Sequence, residues 1–167
     1  MESKKPGSQP VISQVQNNTI LWIGNLQADP NGHFAGQTFK CHSEGVLNNI
    51  QVYSSAVNKP GDMALTLHEF DAADKVWGPA IGDAVLFFQK GEDSRWVRFY
   101  MQPVPLKKDM TYGFRLHADN ALIGIGEAAS HSQKPFAFGY EWNGDSKNEK
   151  GHYFSYFSLT FKVELCA

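Results

Sequence analysis

A two-residue alternation of apolar and polar side chains most constrains what this 167-residue chain can fold into. The alternation is clearest in residues 156–165, where the apolar positions are Phe157, Leu159, Phe161, Val163 and Leu165. A period of two places successive side chains on opposite faces of a β-strand. We therefore predict one long central strand here, with these five apolar side chains all buried.

Further strands are predicted at residues 19–23, 37–41, 46–53, 63–68, 84–88, 96–101, 112–117 and 135–142. An out-of-phase step after Leu47 indicates a β-bulge. Turn-forming clusters separate the strands, and no segment supports an amphipathic helix of more than two turns. About nine strands without helical crossovers imply antiparallel pairing. Their apolar faces must cover one another, which predicts an all-β, antiparallel two-sheet β-sandwich of jelly-roll type.

Length and composition indicate a single domain at residues 11–167, preceded by a flexible tail at residues 1–10. The formal net charge of −2 removes the electrostatic argument for binding nucleic acid or an anionic membrane. No apolar run approaches the roughly 20 residues of a membrane-spanning helix, so membrane insertion is not expected. The sequence leaves the oligomeric state open.

The segment after Lys4 and Lys5 alternates instead of forming an apolar core, so we expect no signal peptide. Two cysteines exclude a disulfide-dense scaffold and a four-thiolate zinc site. An unpaired buried thiol is the favoured state for Cys41. The alternative is a disulfide between Cys41 and Cys166 that ties the carboxyl terminus to an early strand.

Three stretches resemble jelly-roll modules attached to bacterial extracellular enzymes and adhesins. Residues 36–41 and 44–53 are similar to that group's Gly-Gln-Ser/Thr-Phe strand, small turn and Leu-x-x-Ile strand, and residues 63–70 resemble the strand that follows. Residues 104–116 resemble a Leu-x-x-Gly-x-x-Tyr segment, with Asp109 and Met110 departing from the usual Gly. The resemblance implies a galactose-binding-like or carbohydrate-binding accessory sandwich, located outside the cell or on its surface. It carries over no ligand residues, because the matching positions are turn and core positions.

Aromatic residues beside polar loop residues predict a carbohydrate site. Trp142 precedes Asn143 and Asp145, and Trp77 precedes a Gly-Pro pair, while Tyr140 lies close to Trp142 in the chain. An indole can stack on a sugar ring while neighbouring polar groups bind its hydroxyls. We therefore expect Trp142 and Trp77 to lie on exposed loops at the rim. The alternative is that each tryptophan caps the open end of the sandwich.

Two carboxylates give the enzymatic alternative. Sandwich-fold glycosidases place two acids about 5–9.5 Å apart across a cleft, and Glu127 and Glu141 bracket one loop of this chain. Because adjacent strand residues point to opposite faces, a solvated Glu141 beside core aromatics explains the pattern equally well.

No catalytic residue, cofactor or metal ligand is assigned. The run of residues 121–129 has a Gly-x-Gly-x-x-Ala spacing, but a dinucleotide site needs a following helix, which Pro135 prevents. The six histidines lack the close pairing of a helical metal motif. A structural calcium ion is a secondary alternative, for which the sequence offers Asp71, Asp74, Asp83, Glu92 and Asp93.

The sequence therefore favours a non-catalytic binding module for carbohydrate, acting as a surface or accessory domain. The second hypothesis is a small sandwich-fold glycan hydrolase, with Glu127 and Glu141 as its candidate catalytic acids. A structural domain that assembles with itself or a protein partner is the third.

Overall fold

The computed structural model describes residues 8–26, 29–91 and 93–166. These residues form thirteen strands and no helix: β1 (Ser8–Gln14), β2 (Thr19–Leu26), β3 (Asp29–Lys40), β4 (Gly45–Lys59), β5 (Gly61–Asp71), β6 (Val76–Phe88), β7 (Arg95–Leu106), β8 (Thr111–His117), β9 (Leu122–Ala129), β10 (Glu141–Asp145), β11 (Asn148–Phe154), β12 (Phe157–Leu159) and β13 (Phe161–Cys166). The prediction of an all-β chain is confirmed. Across the described ranges, no helix is long and apolar enough to span a membrane.

All strand pairs are antiparallel, as the sequence predicts. The main path runs β1-β13-β4-β9-β2-β3-β8-β5-β6. Strand β4 branches the sheet, because β13 and then β9 pair along one of its edges while β7 pairs along the other. The sheet curls into a half-barrel in which β6 approaches β7. Hydrogen bonds join all thirteen strands in one continuous sheet, so the division into two sheets stays a prediction.

The inside of the curl holds the hydrophobic core, to which alternate residues of each strand contribute. Leu65 and Leu67 from β5 and Phe114 from β8 are fully buried there. The ring of Phe161 packs against Phe114 and Phe39, with centroids 5.7 Å and 6.3 Å away. Odd and even positions of β5 and β8 therefore divide into a core face and an outer face.

The predicted burial near the carboxyl terminus is confirmed at four of the five apolar positions, Leu159, Phe161, Val163 and Leu165. The prediction for Phe157 is wrong, because its side chain is 37% exposed. The strand is interrupted at Thr160, whose backbone N–H donates to the Gly126 carbonyl at 2.9 Å. As a result β12 pairs with β9, whereas β13 lies between β1 and β4.

The local predictions concern a bulge in β4, a strand at residues 135–142, the amino-terminal tail and the two cysteines. Against β13, strand β4 has one extra residue between Leu47 and Asn49, which confirms the bulge. The segment predicted as a strand at residues 135–142 is irregular until β10 begins at Glu141. Strand β1 begins at Ser8, inside the predicted tail, and residues 1–7 of that tail lie outside the described residues. Cys41 is buried and Cys166 exposed, and neither is in a disulfide, so the disulfide alternative is wrong.

Candidate functional site

The outer face of the sheet carries a row of residues aligned across five strands. Trp142 of β10 lies opposite Gly36 of β3, which lies opposite Arg115 of β8. The row continues from Arg115 to Thr66 of β5 and from Thr66 to Asp83 of β6. Directly opposed residues of an antiparallel sheet point to the same face. Register alone therefore brings these side chains from distant parts of the chain to one surface.

The guanidinium of Arg115 contacts two tryptophan rings at the centre of this surface. Its guanidinium carbon is 4.3 Å from the ring centroid of Trp77 and 4.4 Å from that of Trp142. The two indoles are 5.5 Å apart and inclined by 60°. They reach this arrangement because Gly36 and Gly113 beneath them have no side chain, and a Cβ on Gly113 would lie 2.6 Å from Trp77. Guanidinium over an aromatic face is a favourable electrostatic contact.

Trp142 is part of a strand and is only 1% exposed, so the predicted position on an exposed rim loop is wrong. Its indole stacks on Phe34, with centroids 5.3 Å apart, and its Nε1 donates to the Lys150 carbonyl at 2.8 Å. The β10–β11 hairpin thereby closes over the ring. Trp142 can form the wall of a site, but it offers no open face to a ligand.

Trp77 is also in a strand, β6, although the sequence indicates a loop. Its ring is half-buried and makes edge contacts with His68 and Phe70, at 5.5 Å and 5.1 Å between centroids. Its Nε1 donates to the Tyr153 hydroxyl at 3.0 Å, and that hydroxyl donates to the Lys75 carbonyl. Both tryptophans are thus fixed in orientation at their indole nitrogens.

Thr66 presents a hydroxyl whose hydrogen-bonding direction can be deduced. The Gly78 carbonyl can only accept, so the His68 Nδ1 that lies 2.8 Å from it carries a proton. In the neutral ring Nε2 is then an acceptor, and the Thr66 hydroxyl 2.8 Å away donates to it. Burial lowers the pKa of His68, the Gly78 hydrogen bond partly opposes this, and the charge of Arg115 lowers it further. The Thr66 oxygen therefore keeps its lone pairs for a ligand hydroxyl.

A depression of about 330 Å³ opens over this surface. Its lining residues combine rings with polar groups: Phe34, Ala64, Thr66, Arg115, Leu116, His117, Trp142 and Glu149. Pockets of roughly 300–1,000 Å³ are typical of small-molecule sites. His117 pairs with Asp119 at 3.2 Å when its ring is protonated. The depression therefore matches a small ligand with one apolar side and a polar edge.

The remaining predicted site residues lie away from this depression. Asn143 donates to Glu141 Oε2 at 2.7 Å, and Asp145 accepts the backbone N–H groups of Lys147 and Asn148 in the hairpin turn. Tyr140 lines a separate depression and lies beneath the ammonium groups of Lys75 and Lys134. Of the five predicted residues, the structure brings together Trp77 and Trp142 only.

Glu127 and Glu141 meet in the interior. Glu141 is 1% exposed and Glu127 6% exposed, and the Thr19 hydroxyl donates to Glu127 at 3.0 Å. Burial, together with the neighbouring Glu127 carboxyl, raises the pKa of Glu141 to about 10. The two side chains interact directly, so no sugar ring can fit between them.

In the described ranges of the chain, no group of three or more His, Cys, Asp or Glu side chains is placed to hold a metal ion. Among the acids considered for calcium, Asp71 caps a turn by accepting the N–H groups of Ala73 and Asp74. Asp93 accepts the N–H of Val57. Glu92 lies outside the described residues.

No protein-family model matches this sequence, and no curated protein is similar enough to count as a relative. Sequence reasoning missed Arg115, Thr66 and Phe34 as members of the site. The signal that could have found Arg115 and Thr66 is their place on the polar side of two alternating strands, with Arg115 flanked by Phe114 and Leu116.

Proposed function

We propose that this protein is a non-catalytic carbohydrate-binding module with a jelly-roll sandwich fold, acting as a surface or accessory domain. The observation that carries the proposal is the depression on the outer sheet face, where Phe34 and Trp142 meet the polar groups of Thr66 and Arg115. The antiparallel sheet that curls around one core supports the sandwich assignment. The motif resemblance of residues 36–53 and 104–116 supports an extracellular or cell-surface location.

The chemistry of the depression suits a sugar. A pyranose has an apolar face of C–H groups and an edge of hydroxyls, and sites that bind such molecules combine rings with a few oriented polar groups. Phe34 is half-buried, lines the depression and supplies an aromatic surface. Thr66 supplies a hydrogen-bond acceptor, because its own proton is committed to His68.

The geometry favours binding over hydrolysis. A glycosidase needs two carboxyl groups separated by roughly 5–9.5 Å with the scissile bond between them. Glu127 and Glu141 interact directly and are buried on the other side of β10 from Trp142. Their arrangement is that of a structural carboxyl pair.

The test begins with a glycan array and continues with calorimetric titration of the sugars that bind. We expect binding without release of reducing sugar, and a loss of affinity of about tenfold in Phe34→Ala and Thr66→Val. Tyr100→Ala is the matched control, because Tyr100 is an aromatic residue 66% exposed on β7, away from the depression. Release of reducing sugar would favour the hydrolase, and absence of any glycan binding would overturn the proposal.

Self-assembly is a second candidate function, favoured by exposed apolar residues on two neighbouring strands. Val85 and Phe87 of β6 are 65% and 54% exposed, and Tyr100 of β7 is 66% exposed. Within the described residues, β6 pairs only with β5 and β7 only with β4, and the two strands approach each other where the sheet curls, with Val85 and Tyr100 lining one depression between them. Self-assembly would be supported if the molecular mass in solution rises with the concentration of the wild-type protein. The mass of Phe87→Lys should remain that of a monomer at the same concentrations.

A further inference from the structure

Arg115 is a cation without an acidic partner. It forms no hydrogen bond or ion pair with any residue in the described part of the chain, and its Nε is buried with no acceptor. A guanidinium carries five N–H donors, and leaving a buried donor unsatisfied is costly. Contacts with the faces of Trp77 and Trp142 stabilise the charge, but they satisfy none of these donors.

Arg98, in the same fold, is an arginine that does have an acidic neighbour. It lies on strand β7, is 54% exposed in its side chain, and has Glu164 Oε1 3.9 Å from its Nε. Arg115 is more enclosed, and its direct neighbours in the row, Gly36 and Thr66, carry no charge. Burial lowers the pKa of Arg115, so the fold holds this charge against its desolvation cost.

Acidic side chains on the same face leave Arg115 unpaired. Glu149 lines the depression but its side chain is exposed, and it makes no ion pair with Arg115. Asp83 ends the row two strands away and is also exposed. Neither acid pairs with the guanidinium, so its terminal N–H groups, which are not buried, remain available to an acceptor from outside the chain.

We propose that Arg115 binds the carboxylate of an acidic sugar, so that the module is specific for glycans containing uronic acid. This inference rests on the proposed function and names the substrate class of the same depression. Planar guanidinium groups match carboxylates through two parallel N–H···O bonds. Contacts with the two indoles restrict the guanidinium before the ligand arrives, which reduces the conformational entropy lost on binding.

With a carboxylate bound to Arg115, each residue that lines the depression contacts a different part of the sugar. Arg115 donates to the carboxylate at C6 of the sugar, and Thr66 accepts from a ring hydroxyl. Phe34 contacts the apolar face. A neutral hexose has a hydroxymethyl group in place of the carboxylate, so it would leave the donors of Arg115 unsatisfied, and such a mismatch discriminates strongly between ligands.

The experiment compares oligosaccharides that differ only at C6. Oligogalacturonate is titrated against oligogalactose, and oligoglucuronate against oligoglucose, by calorimetry with the wild-type protein. We expect one uronate to bind at least tenfold more tightly than its neutral counterpart. Arg115→Gln should abolish this preference, and Arg115→Lys should retain part of it, because a lysine keeps the charge but loses the bidentate geometry. Arg98→Gln, which also removes one positive charge, should leave the preference unchanged.

Circular dichroism and the melting temperature show whether each variant is folded, and Arg115→Lys provides the test if Arg115→Gln does not fold. Equal affinity for uronate and neutral sugar would overturn this inference while leaving the carbohydrate proposal standing. Binding of free acetate and of uronates with the same affinity, both dependent on Arg115, would show a carboxylate site without sugar recognition. Absence of binding to every oligosaccharide in the set would overturn the inference, and the glycan array decides separately whether the proposed function stands.

Discussion

The ring of Trp142 stacks on the ring of Phe34, with centroids 5.3 Å apart and planes inclined by 28°. This contact joins strand β10 to strand β3 on the outer face of the sheet, outside the main core. The β10–β11 hairpin covers the nitrogen-bearing edge of the indole, where Trp142 Nε1 donates to the Lys150 carbonyl. The most buried aromatic residue of the candidate site is therefore also a structural element of the fold.

Trp142→Ala should lower the free energy of unfolding by about 3–5 kcal/mol, as the loss of a buried large aromatic does. The loss should appear in urea unfolding followed by circular dichroism. Trp96→Ala is the control, because Trp96 is only partly buried and makes its cation–π contact with Lys162 at the surface. A loss in Trp142→Ala no larger than that in Trp96→Ala would contradict the burial described above.

The fold class could be read from the sequence because alternation is a local property. Phe114 and Arg115, or Leu65 and Thr66, differ by one position and therefore face opposite ways in any strand. That rule was sufficient for the core faces of β5, β8 and β13. It failed at Phe157, because the strand is interrupted at Thr160, which hydrogen bonds to Gln16, between β1 and β2, and to Gly126 of β9.

The site could not be read in the same way, because it depends on register between distant segments. Trp142 and Asn143 are neighbours in sequence, and strand geometry sends them to opposite faces. Trp142 and Arg115 meet only because β10 and β8 both pair with β3. The sequence points to the two tryptophans, whereas the position of Arg115 beside them follows only from the sheet pairing.

Glu141→Gln should stabilise the protein at neutral and alkaline pH. The folded-state pKa of Glu141 is raised to about 10, so the folded protein keeps a proton that the unfolded chain releases above its ordinary pKa of about 4.3. Stability is therefore lost as the pH rises between these two values, by at most about 1.4 kcal/mol per pH unit. A glutamine has the shape of the protonated carboxyl and can still accept the hydrogen bond from Asn143.

The measurement is the free energy of unfolding between pH 5 and pH 9. The wild-type value should fall over this range, and the Glu141→Gln value should fall less steeply. Glu44→Gln removes an exposed carboxylate and should leave the wild-type slope in place. Parallel slopes for wild type and Glu141→Gln would show that Glu141 ionises normally in the folded protein.

His68 should be neutral at pH 7, with its proton on Nδ1. The Gly78 carbonyl fixes that tautomer, and long-range ¹H–¹⁵N correlation spectra distinguish it from the alternative. Because the pKa of His68 is lowered in the fold, chiefly by burial, its contribution to stability is present above the ordinary histidine pKa. That contribution is lost as the pH falls from there through the lowered value.

The charge of Arg115 also lowers the pKa of His68, so Arg115→Gln should raise it. Arg98→Gln removes a charge from another part of the sheet and should leave the His68 titration where it is. Identical His68 titration curves in both variants would contradict the proximity of Arg115. A proton on Nε2 at pH 7 would contradict the hydrogen-bond direction assigned to Thr66.

Gly113→Ala should disturb the site without touching any polar group. The added Cβ would lie 2.6 Å and 2.8 Å from two carbons of the Trp77 ring, so the indole must move away from Arg115. Overpacking of this kind typically costs about 1–3 kcal/mol of stability, and tryptophan fluorescence should shift as the ring is displaced. Gly32→Ala is the control, because its Cβ would meet only the end of the Asn25 side chain, at 3.3 Å.

A double-mutant cycle with Trp77→Leu separates the contact between Gly113→Ala and the Trp77 ring from general strain in the backbone. If the Trp77 ring is the obstacle, Gly113→Ala should cost much less in the Trp77→Leu background, whereas an unchanged cost would place the strain in the backbone of β8.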